Sequence, residues 1–156
     1  MTASPEGATF RLQRFVHAQR ETYADALAEL RAGTKRSHWM WFVFPQLAGL
    51  GHSPTARYFA ISGLGEAQDY LAHPVLGPRL AECTDRMLDW AGKRSAVAIL
   101  GEIDALKFRS AMTLFELAAL DRIERDRFSH ALDAFCQGRR DERTLRLLRP
   151  ARGAAN

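Results

Sequence analysis

The ten residues from Ser37 to Gln46, SHWMWFVFPQ, hold two of the three tryptophans and two of the nine phenylalanines of this 156-residue chain. A segment so apolar on every side has to be buried, and burial strips water from whatever polar groups it carries. His38 and Gln46, near its two ends, are therefore expected to enter a low-dielectric interior where each needs a partner or a ligand. Ser37 is placed to N-cap a short helix that Pro45 ends, because the residue before a proline is pushed out of helical geometry. A strand competes with this reading, since Trp, Phe and Val favour strands, but no partner strand is evident.

The rest of the chain reads as helices separated by Gly and Pro. Leu12, Phe15, Val16, Tyr23, Ala26, Leu27 and Leu30 fall on one face of a helix over roughly 10–31, stopped by Gly33. Ser53-Pro54 opens a short helix through Ile61. Another runs from near Leu64 to His73, and Pro74 restarts the chain as a long helix to about Ala91. Its stripe Leu76, Leu80, Cys83, Met87, Trp90 is the clearest amphipathic pattern present. Ser95 opens a buried segment to Leu100, readable as helix or strand. After Gly101 the stripe Ile103, Leu106, Ser110, Thr113, Leu114, Leu117, Leu120 marks a long helix. Residues 125–137 carry Phe128, Leu132 and Phe135 with Gly138 as the stop, and Asp141 caps a last short helix. The expected fold is all-α: a single compact irregular helical domain of about six to eight helices over 10–149, with little or no sheet. Residues 1–9 are expected to be poorly ordered and 150–156 to form a tail.

Composition narrows the function classes. With 47% hydrophobic and 26% charged residues the chain resembles a soluble globular protein, and no apolar run approaches the roughly 20 residues of a bilayer span. Met1 to Thr9 shows no basic region followed by an apolar run, so the cytoplasm is the expected location and no membrane partner is foreseen. Cys83 and Cys136 sit in apolar patterned segments and read as two buried thiols. The five histidines form no HxxxH or HExxH pair, so neither a metal site nor a cofactor is expected. The net charge of +4 is concentrated in residues 139–152, where six arginines face Asp141 and Glu142 (6 − 2 = +4). A general nucleic-acid footprint is thereby disfavoured, leaving one basic tail.

Four groups are candidates for chemistry. His38, Trp41 and Gln46 suit an aromatic pocket that stacks a planar ligand, with His38 able to exchange a proton near neutral pH; the competing reading is plain core. Lys107 and Ser110 lie one turn apart, so a desolvated lysine could act as base to a serine nucleophile. Against that, Ser110 and Thr113 can bond back to carbonyls four residues earlier while Lys107 binds Asp104. Gly49, Gly51 and Ser53 precede a helix start and offer backbone N–H groups to an anion, with Arg57 adding a fork of donors. Arg143, Arg146 and Arg149 step by three along a terminal helix, as a solvated face or a contact for nucleic acid or an acidic protein.

Together the strings Gly33-x-Lys35-x-Ser37-His38-Trp39-Met40-Trp41-Phe42-Val43-Phe44-Pro45-Gln46, Gly49-Leu50-Gly51-x-Ser53, Glu66-Ala67-x-x-Tyr70-Leu71-x-His73-Pro74-x-Leu76-Gly77-x-Arg79-Leu80 and Asp104-x-x-Lys107-x-x-Ser110-x-Met112-Thr113-Leu114-Phe115 carry a resemblance. Over roughly residues 10–148 the chain resembles the bacterial domain-of-unknown-function family 1810, whose members are sometimes mislabelled calpastatin. The resemblance implies a small all-helical cytoplasmic protein. It implies no catalytic residues, because the family has no established activity. Where the family's usual pattern has two serines before Met-Thr-Leu-Phe, this chain has Ser110-Ala111, so no general role for the second serine is implied. The residues themselves lead to the expectation of a ligand-binding or enzymatic domain. Its single aromatic-walled pocket would take a small anionic planar metabolite, a nucleotide or an ADP-ribose-like compound. His38, Lys107 and Ser110 are the catalytic candidates, and Trp41, Gln46, Gly49, Gly51, Ser53 and Arg57 the ligand contacts. The alternatives are an interaction module docking through the Arg-rich C-terminal helix, and a structural domain with no site of its own.

Overall fold

The computed structural model describes the backbone of residues 5–149 and the side chains of residues 11–149. Among the described residues there are nine helices: α1 (Pro5–Ala32), α2 (Met40–Val43), α3 (Pro54–Tyr58), α4 (Leu64–Ala72), α5 (Leu76–Leu88), α6 (Ala96–Leu100), α7 (Glu102–Ala118), α8 (Arg122–Cys136) and α9 (Glu142–Leu148). The protein is all-α, and α2, α3 and α6, each a single turn, raise the number above the expected six to eight. Ala96–Leu100 is helical rather than extended, with Ser95 accepting a hydrogen bond from the Ala98 N–H as its cap. The only pairing of extended backbone among the described residues is one parallel bridge between Leu47 and Ile61. Helix α1 starts at Pro5, earlier than its apolar periodicity suggested. The tail at 150–156 lies outside the described residues.

The core is a chain of rings carried by successive helices. Phe15 of α1 meets Tyr70 of α4 edge-on at 5.2 Å, Tyr70 meets Phe115 of α7 at 5.3 Å, and Phe115 meets Phe128 of α8 at 6.0 Å. A second series runs from Phe44 to Phe108 to Phe135, at 5.1 and 6.0 Å. The edge-to-face pairs among them, Phe15–Tyr70, Phe44–Phe108 and Phe108–Phe135, add about 0.5–1.5 kcal/mol each beyond the area they bury. Of the α5 stripe, Leu76, Leu80, Cys83 and Met87 are buried as read, while Trp90 lies past the helix end at Leu88 and is half-buried. Cys83 and Cys136 are free, buried thiols, and burial pushes Cys83 up to about 12, out of the range of a reactive thiolate.

The α7 stripe needs correction. Ile103, Leu106, Leu117 and Leu120 are exposed, while Phe108, Ala111, Met112, Leu114, Phe115 and Ala118 are buried. The middle of α7 is enclosed by α4, α6, α8 and α9, so burial there follows position along the helix more than angle around it.

One carboxylate shapes the segment 33–41. Glu29, near the end of α1, accepts from the Arg36 N–H at 2.6 Å, the Ser37 N–H at 2.9 Å, the Ser37 hydroxyl, and the Trp39 indole N–H at 2.9 Å. Ser37 is therefore held by Glu29 and is not an N-cap; α2 begins after Trp39, with no side-chain cap, and lasts one turn. Gly33, with φ +72°, ends α1 beneath the Trp90 ring, where a Cβ would lie 2.7 Å from that ring. The Trp90 indole N–H in turn donates to the Leu30 carbonyl at 2.9 Å.

Two predictions test this frame. Burial raises the Glu29 carboxyl, but its four donors outweigh that and hold it at about 2, below the ordinary 4.5. A depressed carboxyl stabilises the fold above its unfolded value and loses that contribution as pH falls through the folded one. Glu29→Ala should cost about 2 kcal/mol in urea unfolding at pH 7, with the gap to the parent closing between pH 4.5 and 2. In the α4–α5 corner a Cβ on Gly77 would lie 2.2 Å from the Leu71 carbonyl oxygen, whereas one on Gly65 meets nothing within 4 Å. Gly77→Ala should therefore lower stability by about 2 kcal/mol through overpacking, while Gly65→Ala, inside α4, raises it by a few tenths; thermal melts of the two decide.

Candidate functional site

The segment 35–41 and the start of α7 meet at one corner. Lys35 Nζ lies 2.9 Å from Asp104 Oδ2, and Lys107 Nζ lies 3.3 Å from Asp104 Oδ1. These three side chains are 11%, 17% and 18% exposed, shielded enough for the ion pairs to hold a fixed geometry. Lys107 also stands over the Trp41 ring, 3.5 Å from its centroid, and Lys35 stands 5.2 Å from the Trp39 centroid. Trp39 is wholly buried and anchored by Glu29, while Trp41 keeps part of its indole at the surface. The Lys35 backbone N–H donates to the Ile99 carbonyl at 2.8 Å, which ties the segment to α6 immediately before α7. The corner thus presents a half-exposed indole and two lysines sharing one aspartate.

Of the sequence candidates, Trp41 and Lys107 come together here. His38 does not enter the interior: its side chain is exposed. The reason is that Glu29 takes the backbone and side chain of Ser37 and the indole of Trp39, turning the residue between them outward. Gln46 is half-buried, and its backbone carbonyl accepts from the Ile61 N–H at 2.8 Å, beside the isolated bridge. Ser110 is buried, and its hydroxyl donates to the Leu106 carbonyl at 3.2 Å; Thr113 does the same to Arg109 at 2.8 Å. Both behave as helix-interior hydroxyls bonding back one turn. The Lys107 nitrogen is engaged by Asp104 and Trp41, so no serine–lysine pair of nucleophile and base is formed.

The glycine loop serves packing. Gly49 has φ +99°, and a Cβ there would touch Leu147 of α9 at 3.4 Å; one on Gly51 would lie 2.7 Å from Ala56 Cβ. Ser53 uses its hydroxyl to accept from the Ala56 N–H as the cap of α3. Arg57 is exposed on that one-turn helix. His38, Trp41, Gln46, Lys107 and Ser110 line none of three surface clefts formed by described residues.

Glu29, Lys35 and Asp104 are the residues that sequence reasoning passed over as site residues. Asp104 was signalled by its i,i+3 spacing from Lys107. Lys35 and Glu29 gave no local signal, because their partners lie elsewhere in the chain. Among the described residues no group of three or more His, Cys, Asp or Glu side chains is placed to hold a metal ion, and no helix is long and apolar enough to cross a membrane.

Comparison with known proteins gives a consistent outcome. No curated protein matches the chain. It is similar to a solved structure described as the crystal structure of the conserved hypothetical protein Rv1873 from Mycobacterium tuberculosis at 1.38 Å. Identity is 48%, the TM-score is 0.85, and the match covers 92% of this chain and 99% of that one. A model described as protein of unknown function (DUF1810) matches residues 9–148. The corner formed by Lys35, Trp41, Asp104 and Lys107 lies within the matched residues, and the chain belongs to the DUF1810 family of proteins of unknown function.

Proposed function

We propose that this protein binds a small anionic planar metabolite, a nucleotide or an ADP-ribose-like compound, at the corner formed by Trp41, Lys107, Asp104 and Lys35. The observation that carries the reading is the Lys107 ammonium seated 3.5 Å over a partly exposed indole. An aromatic face with a cation at its edge offers stacking to a planar ring and an ionic contact to its phosphate or carboxylate. A stacked base contributes about 1–3 kcal/mol, the same range as a lysine on a partly shielded ring at about 0.5–2 kcal/mol. A planar ligand would therefore share the Trp41 face with Lys107, which serves as its anion contact. Asp104, bonded to both lysines, holds them in place while leaving one positive charge in excess (2 − 1 = +1).

The reading is one of binding rather than catalysis. The Ser110 hydroxyl is committed to a backbone carbonyl, and His38 projects to solvent. His38 and Gln46 flank the same segment and belong to the proposal as peripheral contacts.

Titration with AMP and with ADP-ribose, followed by thermal shift and tryptophan fluorescence, is the test. Saturating ligand should raise the melting temperature and quench part of the emission. Trp41→Ala should weaken binding by about tenfold or more, and Lys107→Gln by a similar factor, with the fold retained by circular dichroism. Ligand-induced stabilisation that survives both substitutions, or that neither compound produces in the parent, refutes the reading.

A further inference from the structure

Helix α7 sends a second cation toward a different company. Arg109 lines a surface cleft of about 700 Å³ together with Arg139, Arg140, Arg143 and Arg146. The volume falls within the roughly 300–1,000 Å³ of small-molecule sites. Asp141 and Glu142 are the acidic residues of the lining, so its formal charge is 5 − 2 = +3. Asp141 is already engaged, accepting from the Thr144 N–H at 2.9 Å and from the Thr144 hydroxyl as the cap of α9. Arg140 is engaged too, donating through Nε to Glu116 at 2.9 Å and through Nη1 to the Gly138 carbonyl at 2.7 Å. Arg109, Arg139, Arg143 and Arg146 form no salt bridge among the described residues.

Arg109 is the informative member. Its Nε is buried and has no hydrogen-bond partner among the described residues. The Nε is held inside while the side chain as a whole is half-buried and lines the cleft, so its other N–H donors are the ones a ligand there would meet. The lining contains no aromatic ring, so there is no platform on which bases of a single strand would stack. Guanidinium forks match the geometry of phosphate oxygens. Several of them converging on one cleft suit phosphates that are themselves close together.

We infer that the α7–α9 cleft binds a compact polyphosphate, two or more contiguous phosphates held by Arg109, Arg139, Arg143 and Arg146. The group is either free polyphosphate or the phosphate tail of a nucleotide. The site is separate from the Trp41 corner and shares no side chain with it.

The experiment is isothermal titration of the full chain with inorganic tripolyphosphate, ATP, adenosine and a 20-base-pair duplex, at 50 and 200 mM salt. Tripolyphosphate should bind one to one and more weakly at the higher salt. Arg143→Ala combined with Arg146→Ala should cost about tenfold or more in affinity, while Lys93→Ala, an exposed cation on the α5–α6 loop, leaves it unchanged. ATP binding that the double variant weakens as it weakens tripolyphosphate binding identifies a nucleotide tail as an acceptable source; tripolyphosphate binding that the double variant weakens, with ATP binding absent or unchanged by it, identifies free polyphosphate. Arg109→Met, checked for folding by circular dichroism, should weaken binding as well. The inference is overturned if tripolyphosphate gives no heat and no thermal stabilisation, if the double variant binds as the parent does, or if the duplex binds more tightly than tripolyphosphate.

Discussion

The Glu29 carboxylate fixes the path of the chain that the site depends on. A loop of seven residues joins α1 to α2, too short for hydrophobic burial alone to define its route. Its backbone N–H groups at Arg36 and Ser37 would be left without acceptors if Glu29 were absent. With those donors satisfied on one carboxylate, and the Trp39 indole N–H added, the loop has one low-energy path. That path buries Trp39, turns His38 outward, and delivers Trp41 to α7. The Lys35 N–H bond to Ile99 and the Lys35–Asp104 ion pair fasten the same loop from the other side.

A parallel arrangement recurs at Gln19, the one polar residue on the apolar stripe of α1. Its side chain donates to the Phe42 carbonyl at 2.7 Å and the Tyr70 hydroxyl at 3.1 Å, and accepts from Arg79 at 3.3 Å. Four helices, α1, α2, α4 and α5, are thereby linked through one buried amide. A buried polar group with all its partners specifies register as an apolar side chain of equal size does not. The aromatic run is thus held at Trp39 by Glu29 and at Phe42 by Gln19, leaving only Trp41 between them to face outward.

The helical class, the stripes of α1 and α5, and the caps at Ser53, Ser95 and Asp141 were legible because each rests on contacts within a few residues. Local spacing also carried the bland reading of Ser110, Thr113 and the Lys107–Asp104 pair, since i,i+3 and i,i+4 geometry is fixed by the helix itself. What failed was inference about direction. The apolar character of residues 39–45 suggested that every neighbour was buried, yet His38 escapes because Glu29 binds the residues on both sides of it. Ile103 and Leu120 fall on the expected stripe, but Ile103 lies in the first turn of α7 and Leu120 past its end at Ala118, away from the helices that enclose its middle. Neither outcome depends on local sequence, and both follow from which distant element arrives at that place.

Lys107 and Arg109 leave α7 two residues apart and hence about 200° apart around its axis. The angular separation gives one helix two cationic outlets with opposite electrostatic settings. Lys107 has Asp104 one turn earlier as a built-in counter-charge, so its ammonium is stable in place. Arg109 has no comparable carboxylate. Beside it lies the Cys136 thiol, whose proton burial retains against the pull of the guanidinium, so no thiolate forms to neutralise the charge. Asp141, whose own N–H donates to the Thr113 hydroxyl of α7 at 2.9 Å, has its side chain held by α9 as its cap. A partly buried guanidinium with a bare Nε is tolerated only where the surrounding fold is stable without it or where an anion completes it. The two ring series, one through Phe108 and one through Phe115 and Phe128, supply that independent stability. The helix can therefore carry an uncompensated cation at Arg109, open to whatever anion the α9 cleft admits.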